Sequence, residues 1–373
     1  MNRILVYGGA FDPVHKGHLA LLAAAQAQIR PAKTLIVPSP DCGVQKDKTL
    51  FPASIRLTML RAATENLTPS QILTYEMRRR QPTYTWQTLN FIKNRWPGSI
   101  IYFLLGSDNF PYLLSWRKAR SVINDPRIFF AIGRRAGFSR NLKSNALDPK
   151  FLILKGAFPA VSSSALRSAL LNPRGRRSTV LKLIDPAAAL HLKKHDALIA
   201  LARAYIKTYL PAARERHSVA VARLAVGLAR IHGVDVKRAE LAALLHDASR
   251  FKEKFKNTKE AILHGSLSAK IARETFGVTG QDILEAIRHH TVGRPSMKKL
   301  ARLIYVADLA SYDRTFPEAK MVRRLAQKNL HLALREAVAV KIRYLKSQNQ
   351  YIHPRTIKFL KSLDRAGKQN VLD

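Results

Sequence analysis

Cysteine is all but missing: Cys42 is the only one in 373 residues. A single thiol excludes both a disulfide framework and a thiolate metal cluster. Apolar runs of about eighteen residues, the length of a membrane-spanning helix, are missing too. The opening stretch Met1-Asn2-Arg3-Ile4-Leu5-Val6-Tyr7-Gly8-Gly9 breaks at paired glycines too early for a secretion signal, so a cytoplasmic location is expected. Acidic side chains are scarce. Only 25 Asp and Glu stand against 64 Lys and Arg, for a net charge of +39. An acid inside a motif is then less apt to be filler. The chain shows no Gly/Ser-rich linker, internal repeat, zinc-finger spacing or interleaving of aromatic with basic residues, so the usual marks of a nucleic-acid binder are lacking.

What is present is a globular composition, 47% apolar and 24% charged, in a chain long enough for two domains of ordinary size. Residues 1–195 hold 30 basic and 9 acidic side chains and residues 196–373 hold 34 and 16, so both halves share the positive excess. A field of that sign attracts polyanions such as nucleotides, nucleic acid or an acidic membrane surface; a basic bias of the whole proteome explains it equally well. The first half alternates apolar runs with helical patterns. Ile4–Tyr7, Thr34–Val37, Ile100–Leu105, Ile128–Ile132 and Phe151–Leu154 each read as a strand buried on both faces, and Leu19–Gln28 and Ala53–Asn66 as helices between them. That order predicts a doubly wound parallel α/β sheet over residues 1–196. From 197 to 373 the periodicity is helical, predicting an all-α domain with helices over His217–Ile231, Lys237–His246, Ser266–Phe276, Gln281–His289, Met297–Ser311 and Leu330–Ser347. Gly233, Gly277, Gly293, Pro295, Pro317 and Pro354 read as helix stops, and the alternation of Lys252, Lys254 and Lys256 as a solvated loop.

The first strand runs into Gly8-Gly9-Ala10-Phe11-Asp12-Pro13-Val14-His15-Lys16-Gly17-His18, which opens the first helix. Glycines let backbone approach a ligand, and the free N–H groups and dipole of a helix start favour an anion, so this turn suits phosphate. His15 and His18, three apart, can face one ligand and donate to phosphate oxygens as charge develops. Ser162-Ser163-Ser164-Ala165-Leu166-Arg167 brings hydroxyls that can cap a helix while binding phosphate, and a guanidinium fork for a triphosphate.

The first string resembles the G-x-F-D-P-x-H-x-G-H signature of the nucleotidylyltransferase superfamily. The second resembles its S-S-T-x-x-R signature, Ser164 keeping the hydroxyl of the threonine. Between them, Glu76, Pro82-Thr83-Tyr84-Thr85, Thr88-Leu89, Leu105-Gly106-Ser107-Asp108, Ser115-Trp116 and Arg134-Arg135-Ala136-Gly137 resemble the nicotinate-nucleotide adenylyltransferases, over nearly all of residues 1–195. The resemblance implies a Rossmann-like domain over 1–196 that moves an adenylyl group from ATP to nicotinate mononucleotide, giving deamido-NAD and pyrophosphate by direct displacement. Mg2+ arrives with the ATP. By the same resemblance Gly8, Gly9, Phe11, Ser162, Ser163 and Ser164 surround the nucleotide, and His15 and His18 meet the α-phosphoryl oxygens. Arg167 and Lys46 steady pyrophosphate, Gly106 and Asp108 meet the ribose, and Thr85, Trp116 and Arg135 hold the pyridine mononucleotide. Where the family has histidine and lysine after paired prolines this chain has Gly43-Val44-Gln45-Lys46, and its Arg-Pro-Gly turn is Arg135-Ala136-Gly137. A preference for nicotinamide mononucleotide stays open as an alternative.

In the helical half His217, His246-Asp247, His264, His290 and Asp308 fall beside apolar stretches, such as Leu241–Leu245 before His246 and Leu303–Ala307 before Asp308. An acid so placed points inward at a cost unless it is paired or binds metal. Imidazole and carboxylate without thiolate suit iron or manganese better than structural zinc. Order and setting resemble the HD-domain phosphohydrolases, in particular the bacterial diadenosine-tetraphosphate hydrolases of the YqeK type. The carrying stretches are Arg216–Ala222, Leu244–Asp247, His264-Gly265, Ala286–Pro295, Tyr305–Asp308, Arg314–Pro317 and His353-Pro354. The resemblance implies an HD-type domain over 197–373 in which His217, His246, Asp247 and Asp308 hold one Fe or Mn ion. His264 and His290 then complete a second ion or contact phosphate, Arg294 and Arg314 touch the polyphosphate, and His289 is a neighbour. The implied reaction is metal-assisted, symmetric hydrolysis of diadenosine tetraphosphate to two ADP. Two rivals stay open: a helical half that senses nucleotides instead of cleaving them, and a basic nucleic-acid-binding protein. The expected partners are ATP, nicotinate mononucleotide and diadenosine tetraphosphate, with no membrane; nucleic acid is not required, though the basic surface can hold it non-specifically. Nothing in the sequence indicates an oligomeric state.

Overall fold

Each apolar run of the first half becomes a strand because it can bury side chains on a sheet whose faces are covered by helices. In chain order the elements are β1 (Arg3–Gly9), α1 (Lys16–Ile29), β2 (Lys33–Pro38), α2 (Ala53–Thr64), β3 (Ser70–Ile72), α3 (Thr85–Arg95), β4 (Ile100–Gly106), α4 (Ala119–Ile123), β5 (Ile128–Arg135), β6 (Phe151–Phe158) and α5 (Ser163–Leu171), then α6 (Arg177–Leu181) and α7 (Pro186–His191). All strand pairs are parallel, in the order β3-β2-β1-β4-β5-β6. This is the doubly wound, Rossmann-like arrangement expected from the alternation. Ile4, Val6, Leu35, Val37, Ile101, Phe103 and Phe130 form the centre of its core. The strand order reverses between β1 and β4, and ligands of such sheets bind outside the carboxyl ends of the strands at that point.

The computed structural model describes residues 2–40, 49–67, 69–79, 81–135, 149–175, 177–251 and 258–369. Lys46 and the rest of Gly43–Lys46, Ala136-Gly137 and the Lys252–Lys256 alternation lie outside the described residues, as does the side chain of Arg135. Two compact units are present: Met1–Ala169 with Ser178–Leu192, and Leu170–Arg177 with Lys193–Asp373.

One strand escaped the sequence reading, and one strand reading needs correction. The three-residue β3 has no apolar run to announce it. β6 is not buried on both faces: only Leu154 along it is buried, because among the described residues the strand pairs with β5 alone and forms the edge of the sheet.

The second unit adds α8 (His195–Tyr209), α9 (Ala212–Ile231), α10 (Val236–Leu245), α11 (Thr258–Glu274), α12 (Gln281–His289), α13 (Lys299–Ala310), α14 (Pro317–Lys328), α15 (Leu330–Ser347) and α16 (Pro354–Gln369). No strand occurs in it among the described residues. Its core is drawn from helix faces such as Leu241–Leu245 on α10 and Leu303–Ala307 on α13. Pro317 and Pro354 do not stop helices. Each opens the next one at its first position, where the missing N–H costs nothing. No helix among the described residues is long and apolar enough to cross a membrane.

Candidate functional site

In the first unit, Gly8 and Gly9 end β1 and the chain then turns into α1. Phe11 takes a left-handed φ of +48° and is buried, edge-on to Tyr7 and His18, so it props the loop from beneath. His15 caps α1. Its Nδ1 accepts the N–H of His18 at 3.3 Å, while Nδ1 of His18 accepts the N–H of His15 at 3.3 Å. With both Nδ1 atoms accepting, each neutral ring carries its proton on Nε2. The rings stack with centroids 3.6 Å apart, His15 buried and His18 half-buried.

The second motif is fastened to the first. Arg167 Nη1 donates to the carbonyl of Asp12 at 3.1 Å and lies 3.8 Å from its carboxylate, while Nη2 donates to Ser164 Oγ at 3.1 Å. Ser163 Oγ donates to the carbonyl of Pro13 at 3.3 Å, and Ser162 Oγ accepts the N–H of Ala165, starting α5. Asp12 and Arg56 were not singled out from the sequence as site residues. The Asp12 carboxylate accepts the N–H groups of Leu50 and Phe51 at 2.6 and 3.0 Å; burial nonetheless raises its pKa above the ordinary carboxylate value. Arg56, fully buried, donates to the carbonyls of Ala10, Ser39, Pro40 and Phe51 and so ties the loops after β1 and β2 together. Elsewhere in the unit, Gly106 closes β4 and the half-buried Asp108 follows it, at the point where strand order reverses. Half-buried Thr85 begins α3. Trp116 is half-buried, packed on the sheet core and edge-on to Phe103 at 5.8 Å.

In the second unit five helices deliver six side chains to one place. His217 (α9) sets Nε2 2.9 Å from Asp308 Oδ1 (α13). His246 follows α10, and its Nδ1–H donates to the carbonyl of Ala243 at 2.6 Å, turning Nε2 inward, 3.8 Å from both Asp247 and Asp308. His290 repeats the device after α12: its Nδ1–H donates to Ile287 at 2.7 Å. Its Nε2 then lies 2.8 Å from Nε2 of His264 (α11) and 3.8 Å from Asp247. Asp247 Oδ1 is 3.1 Å from His264 Nε2. Ligand atoms of His217, His246 and Asp308, and again of His246, Asp247 and His290, lie within 4.8 Å of one another. His289 is in neither group.

The electrostatics suit a cation. Despite the opposing effect of burial, His246, His264 and His290 hold the Asp247 carboxyl well below the carboxylate range. His217 and the other histidines do the same for Asp308. Burial pushes the pKa of His246 down and that of His290 to about 3, leaving neutral imidazoles. Anionic carboxylates with neutral imidazoles are the protonation states that metal ligands need. Nε2 of His246 is buried with no hydrogen-bond partner among the described residues, between two carboxylates, which fits a ligand atom.

Sequence reading missed the outer partners. Asp313 Oδ2 bonds Nδ1 of His217 at 2.8 Å, and the two aspartates raise the pKa of His217 although burial opposes them. Such a partner orients a ligating imidazole. Arg214 Nη1 sits 3.2 Å from Asp247, and Thr291 Oγ1 lies 3.1 Å from Nε2 of both His264 and His290. Arg294 is engaged with Glu285 at 3.2 Å. Arg314 Nε is buried without a hydrogen-bond partner among the described residues.

Gly265 explains how His264 comes so near His290. A Cβ there would stand 2.7 Å from the carbonyl oxygen of Arg288, so α11 and α12 meet backbone to backbone. Gly265→Ala is expected to cost about 1–3 kcal/mol by overpacking and to part the two imidazoles. A lowered melting temperature together with lost phosphoanhydride hydrolysis is the expected readout.

Comparison with known proteins matches a separate family to each half of the chain. A profile of the cytidylyltransferase-like family matches residues 6–169, and one of the HD domain matches residues 214–313. A symmetrical bis(5'-nucleosyl)-tetraphosphatase of Halalkalibacterium halodurans is 33% identical over 167 residues, 41% of this chain and 89% of that protein. A probable nicotinate-nucleotide adenylyltransferase of Dehalococcoides mccartyi is 32% identical over 196 residues, 51% of this chain and 94% of that protein. A probable nicotinate-nucleotide adenylyltransferase/Ap4A hydrolase of Mycoplasma genitalium is 26% identical over 365 residues, 93% of this chain and 98% of that protein. The chain therefore belongs to two enzyme families at once, the nicotinate-nucleotide adenylyltransferases through its cytidylyltransferase-like part and the HD-domain symmetrical tetraphosphatases through its helical part.

Proposed function

We propose a bifunctional cytoplasmic enzyme: a transferase in residues 1–196 that makes deamido-NAD from ATP and nicotinate mononucleotide, and a hydrolase in residues 197–373 that cleaves diadenosine tetraphosphate symmetrically to two ADP. The transferase reading rests above all on the bond from Arg167 to Asp12, which joins both signature motifs beside the imidazole pair. The hydrolase reading rests on the inward Nε2 of His246 between two carboxylates.

In the transferase, an oxygen of the mononucleotide phosphate forms a bond to the α-phosphorus of ATP while the bond from that phosphorus to the bridging oxygen breaks, and pyrophosphate leaves. Positioning and charge neutralisation carry such a step. His15 and His18 donate from Nε2–H to the α-phosphoryl oxygens without first taking up a proton. Gly8, Gly9 and the turn propped by Phe11 admit the triphosphate, Ser162, Ser163 and Ser164 border it, and Arg167 with Lys46 steadies pyrophosphate. Gly106 and Asp108 meet the ribose; Thr85, Trp116 and Arg135 receive the pyridine mononucleotide.

In the hydrolase, His217, His246, Asp247 and Asp308 would hold an iron or manganese ion, and His264 with His290 a second ion or a phosphate. A bound ion lowers the pKa of a water and offsets phosphate charge. Asp313 keeps the His217 ring in line, the helix-end carbonyls keep His246 and His290 in line, and Arg214 with Arg314 draws the polyphosphate toward the cluster.

Parallel assays with nicotinate and nicotinamide mononucleotide test the first half: faster product formation from the nicotinate form is expected, and the reverse order overturns the assigned acceptor. Chelation followed by addition of Mn2+ or Fe2+ tests the second. Hydrolysis should stop and return, and hydrolysis indifferent to the chelator would contradict a metal centre.

A further inference from the structure

On the flank of α9 lies a groove of about 440 Å3 whose lining includes Arg216, Val219, Arg223 and Tyr312. Both walls adjoin the hydrolase cluster along the chain. Arg216 directly precedes His217, and Tyr312 directly precedes Asp313, which bonds the His217 ring at 2.8 Å. Ala220, another lining residue, stands one helical turn beyond His217.

The groove is open and combines apolar with basic side chains. Val219 is 40% and Tyr312 45% exposed. Tyr312 is nevertheless held firmly. Arg323 donates to the carbonyls of Ala310, Ser311 and Arg314 at 2.6, 2.6 and 3.0 Å, pinning the loop that carries the tyrosine. The guanidinium groups of Arg323 and Arg223 lie 4.9 and 5.0 Å from the centre of its ring. A fixed aromatic ring with a planar guanidinium beside it is a surface on which a nucleobase stacks. The volume suits a nucleoside, falling within the usual range for small-molecule sites. Arg216 and Arg223 outweigh Glu215 in the lining, so the groove favours an anionic molecule.

We propose that this groove is the nucleoside subsite of the hydrolase. The base of the polyphosphate substrate packs against Tyr312 and the Arg223 guanidinium, and Arg216 lies toward the phosphates that run to the cluster. A dinucleoside polyphosphate has a base at the end of its phosphate chain, so a stacking surface beside the cluster distinguishes it from inorganic polyphosphate. The inference rests on the hydrolase reading.

The test uses the full chain and three measurements of hydrolysis: the kinetic constants for diadenosine tetraphosphate, and the inhibition constants of ADP and of inorganic pyrophosphate, which has no base. Tyr312→Ala is expected to raise KM and the ADP inhibition constant about tenfold, the scale of one lost base stack. kcat and inhibition by pyrophosphate should stay within about twofold, and Tyr312→Phe should restore wild-type values. Adenylyl transfer by the same preparation reports on folding. Unchanged KM in Tyr312→Ala overturns the subsite. So does a parallel loss of pyrophosphate inhibition or of kcat, which would make Tyr312 only a support for the Asp313 loop. A wild-type chain that does not cleave the tetraphosphate removes the hydrolase reading itself, a different result from normal cleavage with an indifferent Tyr312.

Discussion

Asp247→Ala is expected to abolish metal binding and diadenosine tetraphosphate hydrolysis while leaving adenylyl transfer at its wild-type rate. Asp247 lies within 4 Å of three of the histidines, at 3.1 Å from His264 and 3.8 Å from both His246 and His290. Losing an outer-shell partner of a metal site commonly costs 10- to 100-fold, so loss of a carboxylate ligand should lower hydrolysis by at least about 100-fold. Removing it also takes away the carboxylate that Arg214 bonds. Asp247→Asn separates charge from shape, since it retains the volume but lacks the anion. Elemental analysis of both variants, with adenylyl transfer as the control for folding, checks the result. Metal content unchanged in Asp247→Ala would contradict the ligand set.

His18→Ala is expected to lower the turnover of adenylyl transfer about 100- to 1000-fold, the effect of deleting one preorganised donor to a developing negative charge, while ATP binding weakens far less. The difference arises because the imidazole acts on charge that grows on the α-phosphoryl oxygens, not on the ground-state triphosphate. His18 also accepts the N–H of His15 through Nδ1, so alanine removes a local bond as well. His18→Asn, which can accept that N–H but cannot present the same inward donor, separates the two contributions. Pre-steady-state turnover beside equilibrium ATP binding provides the measurement. Near-full turnover in His18→Ala would remove the assigned role.

The legibility of this chain in its sequence follows burial. β4, an uninterrupted apolar run, and α15, regular from Leu330 to Ser347, could be placed from pattern alone because their side chains answer to one simple environment. Phe151–Leu154 has the same apolar look as β4, yet it forms an edge, since a run of residues does not say how many neighbours its strand will have. Pro317 and Pro354 mark boundaries, but the same ring that cannot continue one helix can start another. At the sites, the residue types were visible and their partners were not. The spacing of His15 and His18 shows that they share a face; that both rings carry the proton on Nε2 follows only from the backbone groups they accept. The six cluster residues are spread from position 217 to position 308 and come from five helices, so their convergence is a property of the packing. Asp313 and Arg214 had no motif to reveal them, because their meaning lies in contacts made across the fold.

Product identification on one purified sample tests the central claim, two adenosine-phosphate chemistries in one chain, most directly. ATP, nicotinate mononucleotide and Mg2+ go in first, then diadenosine tetraphosphate with Mn2+ or Fe2+, and the products are separated by ion exchange. Deamido-NAD with pyrophosphate from the first reaction, and ADP alone from the second, are the expected products. No dinucleotide from the first, or ATP and AMP in place of ADP from the second, would contradict the account.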